Sequence, residues 1–218
     1  MNGKRWNVEK ENVLCLVFGV FLDAFAVALV TKSDFGISAV SSVAYVLSQA
    51  FPDFAFGVWS YLFQFILFII MCILVKKCSI PYLCSFFVGV IFGYTLDFCR
   101  FLIRPLPDSP GFRIGYFIFG TLILMIGVAL LMISRLPIMT QDLFTREISE
   151  CYHIPFKKVK TTFDVSCVTL SIVIAVTMTG GVIGIGAGTV INALIIGKGV
   201  DKVKGILLSK KKYKIFFS

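Results

Sequence analysis

Between Asp53 and Lys76 the chain runs without a single charged residue. A stretch this long and this apolar fits one setting best. A helix of about 20 such residues spans the roughly 30 Å hydrocarbon core of a bilayer. Six stretches qualify: Val13–Val30, Ala55–Val75, Tyr82–Ile103, Ile114–Ile133, Thr161–Met178 and Val182–Val200. The last two are short and rich in Gly, Ser and Thr. Composition closes off the alternatives. Hydrophobic residues make up 58% and charged residues 15%, against about 45–50% and 25% in soluble domains. A soluble chain of 218 residues has too little interior to hide that surplus. A disordered chain would be poor in aromatics, whereas 23 residues here are Phe. The expected fold class is all-α, a polytopic membrane helix bundle in contact with the lipid bilayer.

The net charge of +9 fits that class without nucleic acid as a partner. Lys and Arg collect on the cytoplasmic side of membrane proteins. With the N-terminus inside and six crossings, only Lys32, Arg100, Arg104 and Arg113 of the 21 basic residues fall outside. Five or seven crossings would put a basic cluster on the wrong face. Both termini are therefore expected in the cytoplasm. The basic tail, Lys210, Lys211, Lys212 and Lys214, suits an anionic inner leaflet. The first span follows Lys4, Arg5 and Lys10 and holds Ala24-Phe25-Ala26, which resembles a cleavable secretory signal. Its length and the interrupting Asp23 argue for a retained span. The seven cysteines lie mostly in apolar runs without Cys-x-x-Cys spacing, and read as small hydrophobes rather than a disulfide frame or metal site.

Two segments are left over. Residues 36–51 carry no charge but four serines, and residues 137–152 carry Asp142, Arg146, Glu147 and Glu150. Neither can cross fully without upsetting the charge sidedness, so interfacial or re-entrant helices are expected.

The chain also repeats itself. At an offset of 101, Phe18, Gly19, Val27, Ala28, Leu29, Ser33 and Ile37 meet identical residues at Phe119, Gly120, Val128, Ala129, Leu130, Ser134 and Ile138. At an offset of 104, Ile91, Gly93 and Asp97 meet Ile195, Gly197 and Asp201. Each half reads span, short helix, span, span. Residues 1–103 form the first repeat, 104–113 an external linker rich in proline, 114–205 the second repeat and 206–218 the tail. Three spans per half is odd, so the second half enters from the opposite face. Such inverted repeats are common in secondary transporters. Duplication that merely built a stable bundle is the plainer reading.

The pattern Gly184-Ile185-Gly186-Ala187-Gly188-Thr189, with an apolar helix ending at Gly197 and Asp201, resembles the YczE/YyaS/YitT-type bacterial membrane proteins. So do the short helices opening at Gly36-Ile37-Ser38 and Leu136-Pro137-Ile138. The likeness runs from about Val13 to Gly205. Where members often show Gly-x-x-Pro-Trp-Asp, this chain has Pro137-Ile138-Met139-Thr140-Gln141-Asp142, without the Trp. It resembles the YczE arm, which lacks the C-terminal soluble domain. The resemblance implies a bacterial inner-membrane protein and no particular substrate.

Candidate chemistry is sparse. Asp23 stands ten residues into the first span, near the bilayer midplane, where a carboxylate costs several kcal/mol unless protonated or paired. It is the expected proton- or cation-linked switch; a neutral Asp hydrogen-bonding another helix is the plainer reading. Gln64 and Asn192 lie within spans and offer hydrogen bonds to substrate or to neighbouring helices. Gly180, Gly181, Gly184, Gly186 and Gly188 permit broken backbone beside a cavity. Thr189 would then cap a helix whose free N–H groups face an anion. Close packing through small residues explains the same glycines. Asp142, Arg146 and Glu150, spaced i, i+4, i+8, read as a solvated stripe with a possible gating role, and Asp97 and Arg100 as the rim of an outer vestibule. Lys160 and Asp164 read as an interfacial i, i+4 pair. His153, the lone histidine, reads as a surface residue. No nucleotide, metalloprotease or serine-hydrolase motif is present, so neither cofactor, metal nor catalysis is expected. The expected function is a small-solute secondary transporter or permease, with the site at Asp23, Gln64, Asn192, Gly186, Gly188 and Thr189 and a homodimer as one possible assembly. The alternative is a non-transport membrane component: a partner subunit, sensor or assembly factor.

Overall fold

A computed structural model describes residues 10–54, 56–76, 80–181 and 184–209. Lys4, Arg5, Lys77, Cys78, Lys210, Lys211, Lys212 and Lys214 lie outside the described residues, as do Ala55 and Val182 at the starts of two expected spans. The described residues form eight helices and no strand: α1 (Lys10–Lys32), α2 (Ala39–Ala50), α3 (Phe56–Val75), α4 (Ile80–Ile103), α5 (Pro110–Ile133), α6 (Thr140–Cys151), α7 (Phe156–Thr179) and α8 (Ala187–Ser209). Long, short, long, long is followed by long, short, long, long.

Five helices, α1, α3, α4, α5 and α7, are long and apolar enough to cross a bilayer. The expected sixth span is different. Its helix begins at Ala187 rather than near residue 182, and its second half carries Lys198, Asp201, Lys202 and Lys204. The uncharged part of α8 ends at Gly197. Outward surfaces are strongly apolar. Phe87, Tyr94 and Phe101 on α4 are 73%, 76% and 72% exposed, as suits a surface that meets lipid chains rather than water.

The ends of α1 and α5 match in detail. Ser33 ends α1 by donating from Oγ to the Val30 carbonyl at 2.6 Å and accepting from the Phe35 amide at 3.4 Å. Ser134 does the same at the end of α5, to Leu131 at 2.8 Å and from Leu136 at 3.5 Å. The residue after each serine, Asp34 and Arg135, takes a left-handed conformation with φ of 61° and 52°. A hydroxyl that satisfies the freed groups of a helix end lets the chain turn sharply without orphaned backbone.

α1 and α5 make the central pair and run antiparallel. Gly19 lies against Leu131, Asp23 against Gly127 and Val30 against Gly120. The contact of Gly19 with Leu131 and that of Gly120 with Val30 are the same contact seen from either half, since both partners shift by 101. That reciprocity is the mark of a twofold relation between the two helices. Small residues make it possible: a Cβ on Gly120 would lie 2.8 Å from Val30 Cγ2 and 3.1 Å from the Ala26 carbonyl oxygen.

The short helices cross over. α2 packs on α7 of the other half and α6 packs on α3 of the other half. Each buries one face. α2 buries Val40, Val43 and Val46, and α6 buries Leu143 together with Thr140, Asp142, Thr145, Arg146 and Glu147. The expected solvated stripe on α6 is therefore corrected: of Asp142, Arg146 and Glu150, only Glu150 is exposed. A charged helix face is satisfied by buried polar partners as well as by water, and here α4 and α7 supply them.

One relation breaks the symmetry. α7 and α8 pack closely because Gly197 lets α8 approach the Lys157 carbonyl, which a Cβ would meet at 2.9 Å. Gly93, its counterpart on α4, has nothing within 4 Å, and Gly57 at the start of α3 is equally open. α3 and α4 instead touch through bulky rings, with Phe68 and Phe86 centroids 5.5 Å apart.

Candidate functional site

The twofold relation focuses on one place. Where α1 crosses α5, Gly127 removes the side chain that would otherwise strike Asp23: a Cβ there would lie 2.8 Å from the Asp23 backbone nitrogen. Asp23 is consequently 3% exposed, and its side chain borders a cavity between the halves. The cavity measures about 50 Å³, room for about three to five waters. Its walls include residues matched across the repeat, Asp23 with Leu124, Val27 with Val128 and Val40 with Gln141. The cavity thus sits between the halves, where α1, α5 and the N-termini of α2 and α6 converge.

Charge enters mostly from the second half. Asp142 stands in the first turn of α6, where the helix dipole favours a carboxylate. Lys160 comes from the start of α7, and Asp164 follows one turn later. Lys160 Nζ lies 3.1 Å from Asp164 Oδ1 and 3.7 Å from Asp142 Oδ1. All four charged residues, Asp23 included, are buried. The expected interfacial setting of the Lys160–Asp164 pair is corrected accordingly: the pair is present, but it is buried, with Asp142 of α6 beside it. Burial pushes the Asp142 carboxyl above the ordinary carboxylate range, while the neighbouring Lys160 and Arg146 pull it back. Asp23 makes no hydrogen bond or ion pair with any described residue. Asn192 of α8 completes the polar lining, its Oδ1 accepting from Thr121 Oγ1 of α5 at 3.0 Å.

A second polar network anchors α6. Arg146 Nη1 donates to the Leu136 carbonyl at 3.0 Å, and its Nε lies 3.7 Å from Glu147 Oε1. Tyr82 of α4 donates from its hydroxyl to Glu147 Oε2 at 2.8 Å. Burial lowers the Arg146 pKa from its ordinary value, and Glu147 opposes that shift. The network holds the N-terminus of α6, and with it Asp142, against the cavity.

The remaining predicted residues lie elsewhere. Gln64 is half-buried on α3 beside Gly89, away from the cavity lining. Asp97 and Arg100 are exposed near the end of α4. His153 is exposed beyond α6. The glycine-rich stretch serves close packing. Gly184 (φ 74°) turns the chain, and Gly186 lies on the Phe35 carbonyl too closely for any Cβ. The Gly188 amide donates to the Phe35 carbonyl at 2.9 Å, and Thr189 donates from Oγ1 to the Ile37 carbonyl at 2.7 Å. The expected anion-binding helix start is thereby corrected. The amides of Gly188, Thr189 and Val190 are all taken by carbonyls, those of Phe35 and Gly186.

The sequence reading missed Lys160, Asp164 and Gln141 as members of the site. The available signal was Asp142 at the start of the short helix, which is the repeat counterpart of Ser41 and so a charge peculiar to one half. Among the described residues, no group of three or more His, Cys, Asp or Glu is arranged to hold a metal ion.

No curated protein and no solved structure matches the chain. DUF6198, a family of unknown function, matches residues 10–204, nearly the whole length, and the chain belongs to that family.

Proposed function

We propose that this helical membrane protein is a small-solute secondary transporter that works by alternating access, with the cavity beside Asp23 as its central site. One observation carries the reading: a buried carboxylate in the first span, with no hydrogen bond or ion pair among the described residues, faces a small cavity bordered by equivalent positions of both halves. A carboxylate at that depth costs several kcal/mol, so an exchangeable proton or ligand is its natural complement. The antiparallel α1–α5 pair supports reading the chain as an inverted repeat joined at residues 104–113, with both termini in the cytoplasm of a bacterial inner membrane. The difference between the closed α7–α8 pair and the separated α3–α4 pair supports a molecule caught in one of two related states. Kinship with the YczE-like arm belongs to the same proposal. Catalysis has no part in it.

Reconstituted into liposomes, the protein is expected to carry a solute from a panel of amino acids, ions and metabolites, and Asp23→Asn to reduce that flux. No flux across the panel counts against transport. The broad apolar face of α4 favours one rival, a subunit that docks a membrane partner or a second copy. Co-purification of a stoichiometric partner, without flux by the isolated chain, would establish that rival instead.

A further inference from the structure

Three carboxylates, Asp23, Asp142 and Asp164, and one ammonium, Lys160, border the same cavity. Lys160 pairs with Asp164 at 3.1 Å and reaches Asp142 at 3.7 Å. Asp23 is 97% buried, as its 3% exposure states, and has no hydrogen bond or ion pair among the described residues. Lys160 is thus shared between Asp164 and Asp142, which leaves three carboxylates against one ammonium and Asp23 without an ion pair of its own among the described residues.

We propose that this cavity binds one small monovalent cation, held between Asp23 and Asp142. The inference rests on reading the cavity as the transport site and names the class of ion that site takes. Charge sets the sign, because an anion would meet three carboxylates. Burial sets the valence: the cost of taking an ion out of water grows with the square of its charge, and Lys160 already repels a second cation. Volume sets the size. About 50 Å³ admits an ion with a few of its waters and excludes a bulky organic cation. The carboxylates and the side-chain amides of Gln141 and Asn192 offer hard oxygen ligands of the kind alkali ions accept.

The test uses the full chain purified in detergent at fixed pH and ionic strength, with lithium, sodium, potassium or ammonium chloride replacing choline chloride. At least one small cation is expected to raise the melting temperature saturably above that in choline. The rise should vanish in Asp23→Asn and persist in Asp97→Asn, a change on the exposed end of α4. Identical melting in every salt, or a rise that survives Asp23→Asn, overturns the site. If Asp23→Asn does not fold, Asp142→Asn takes its place, and equilibrium dialysis of the unmodified protein with labelled sodium, potassium and ammonium reads binding directly. No retention of any of them also overturns the site. Cation binding without solute flux would sink the transport reading and leave the site intact. Solute flux without any cation effect would sink the site alone.

Discussion

Gly127 of α5 makes the space in which Asp23 of α1 sits, its Cα side lying where any Cβ would come within 2.8 Å of the Asp23 amide nitrogen. Because the obstacle is backbone, it has no rotamer to move. Gly127→Ala is expected to destabilise the fold by about 1–3 kcal/mol, the usual cost of overpacking. Gly93→Ala, on a helix with nothing nearby, is expected to be neutral or stabilising by up to about 1 kcal/mol through helix propensity. Thermal unfolding of the two variants side by side checks the contrast, and equal effects would contradict it.

Removing the cation from the buried cluster should cost more than removing the cluster's main pair. Lys160→Met strands Asp164 and Asp142 without their shared partner, at an expected loss of about 3–5 kcal/mol. The double variant Lys160→Met with Asp164→Asn is expected to be more stable than Lys160→Met alone. A double-mutant cycle read by chemical or thermal unfolding measures the difference.

Thr189 holds the start of α8 to the turn after α1 by its 2.7 Å bond to the Ile37 carbonyl. Thr189→Val keeps the shape and deletes the donor. The expected loss is about 1 kcal/mol, the usual worth of a part-buried hydrogen bond. Thr177→Val, which removes only exposed bonds to the Val173 and Ile174 carbonyls of its own helix, should change the midpoint little.

If two states interconvert by exchanging the packing of the halves, Gly57 and Gly93 meet in the other state as Thr161 and Gly197 meet in this one. Gly57→Cys with Gly93→Cys, in a chain whose native cysteines are replaced by alanine, should cross-link under oxidant and stop flux reversibly. Absence of the cross-link while flux proceeds would rule out the exchange.

Much of the architecture can be read from charge-free runs. Residues 55–75 and 114–133 are so apolar that the helices α3 and α5 follow directly, and Ser33 and Ser134 are identical because each ends its helix in the same way. The leftover segments 36–51 and 137–152 contain α2 and α6 almost to the residue. Depth is what the linear pattern hides. Asp142 and Arg146 at i, i+4 look alike on a helix bathed in water and on one enclosed by α3, α4 and α7, because periodicity records which side chains share a face and nothing about what opposes it. The start of α8 is hidden in a similar way: the glycines before it suit a helix interior in lipid as well as a tight backbone approach to Phe35. Asp23 was legible because a single carboxylate in an apolar run has no bland surface explanation, whereas Lys160 and Asp164 offered each other one.

The central helix pair has a consequence for how the molecule is made. α1 finds its closest fit on α5, beyond the joint at residues 104–109, rather than within its own half. A ribosome that has released only the opening hundred residues has delivered α1 with the face around Gly19 and Asp23 still vacant. Assembly therefore waits on the arrival of the second unit, and neither gene-half expressed alone possesses a finished interior.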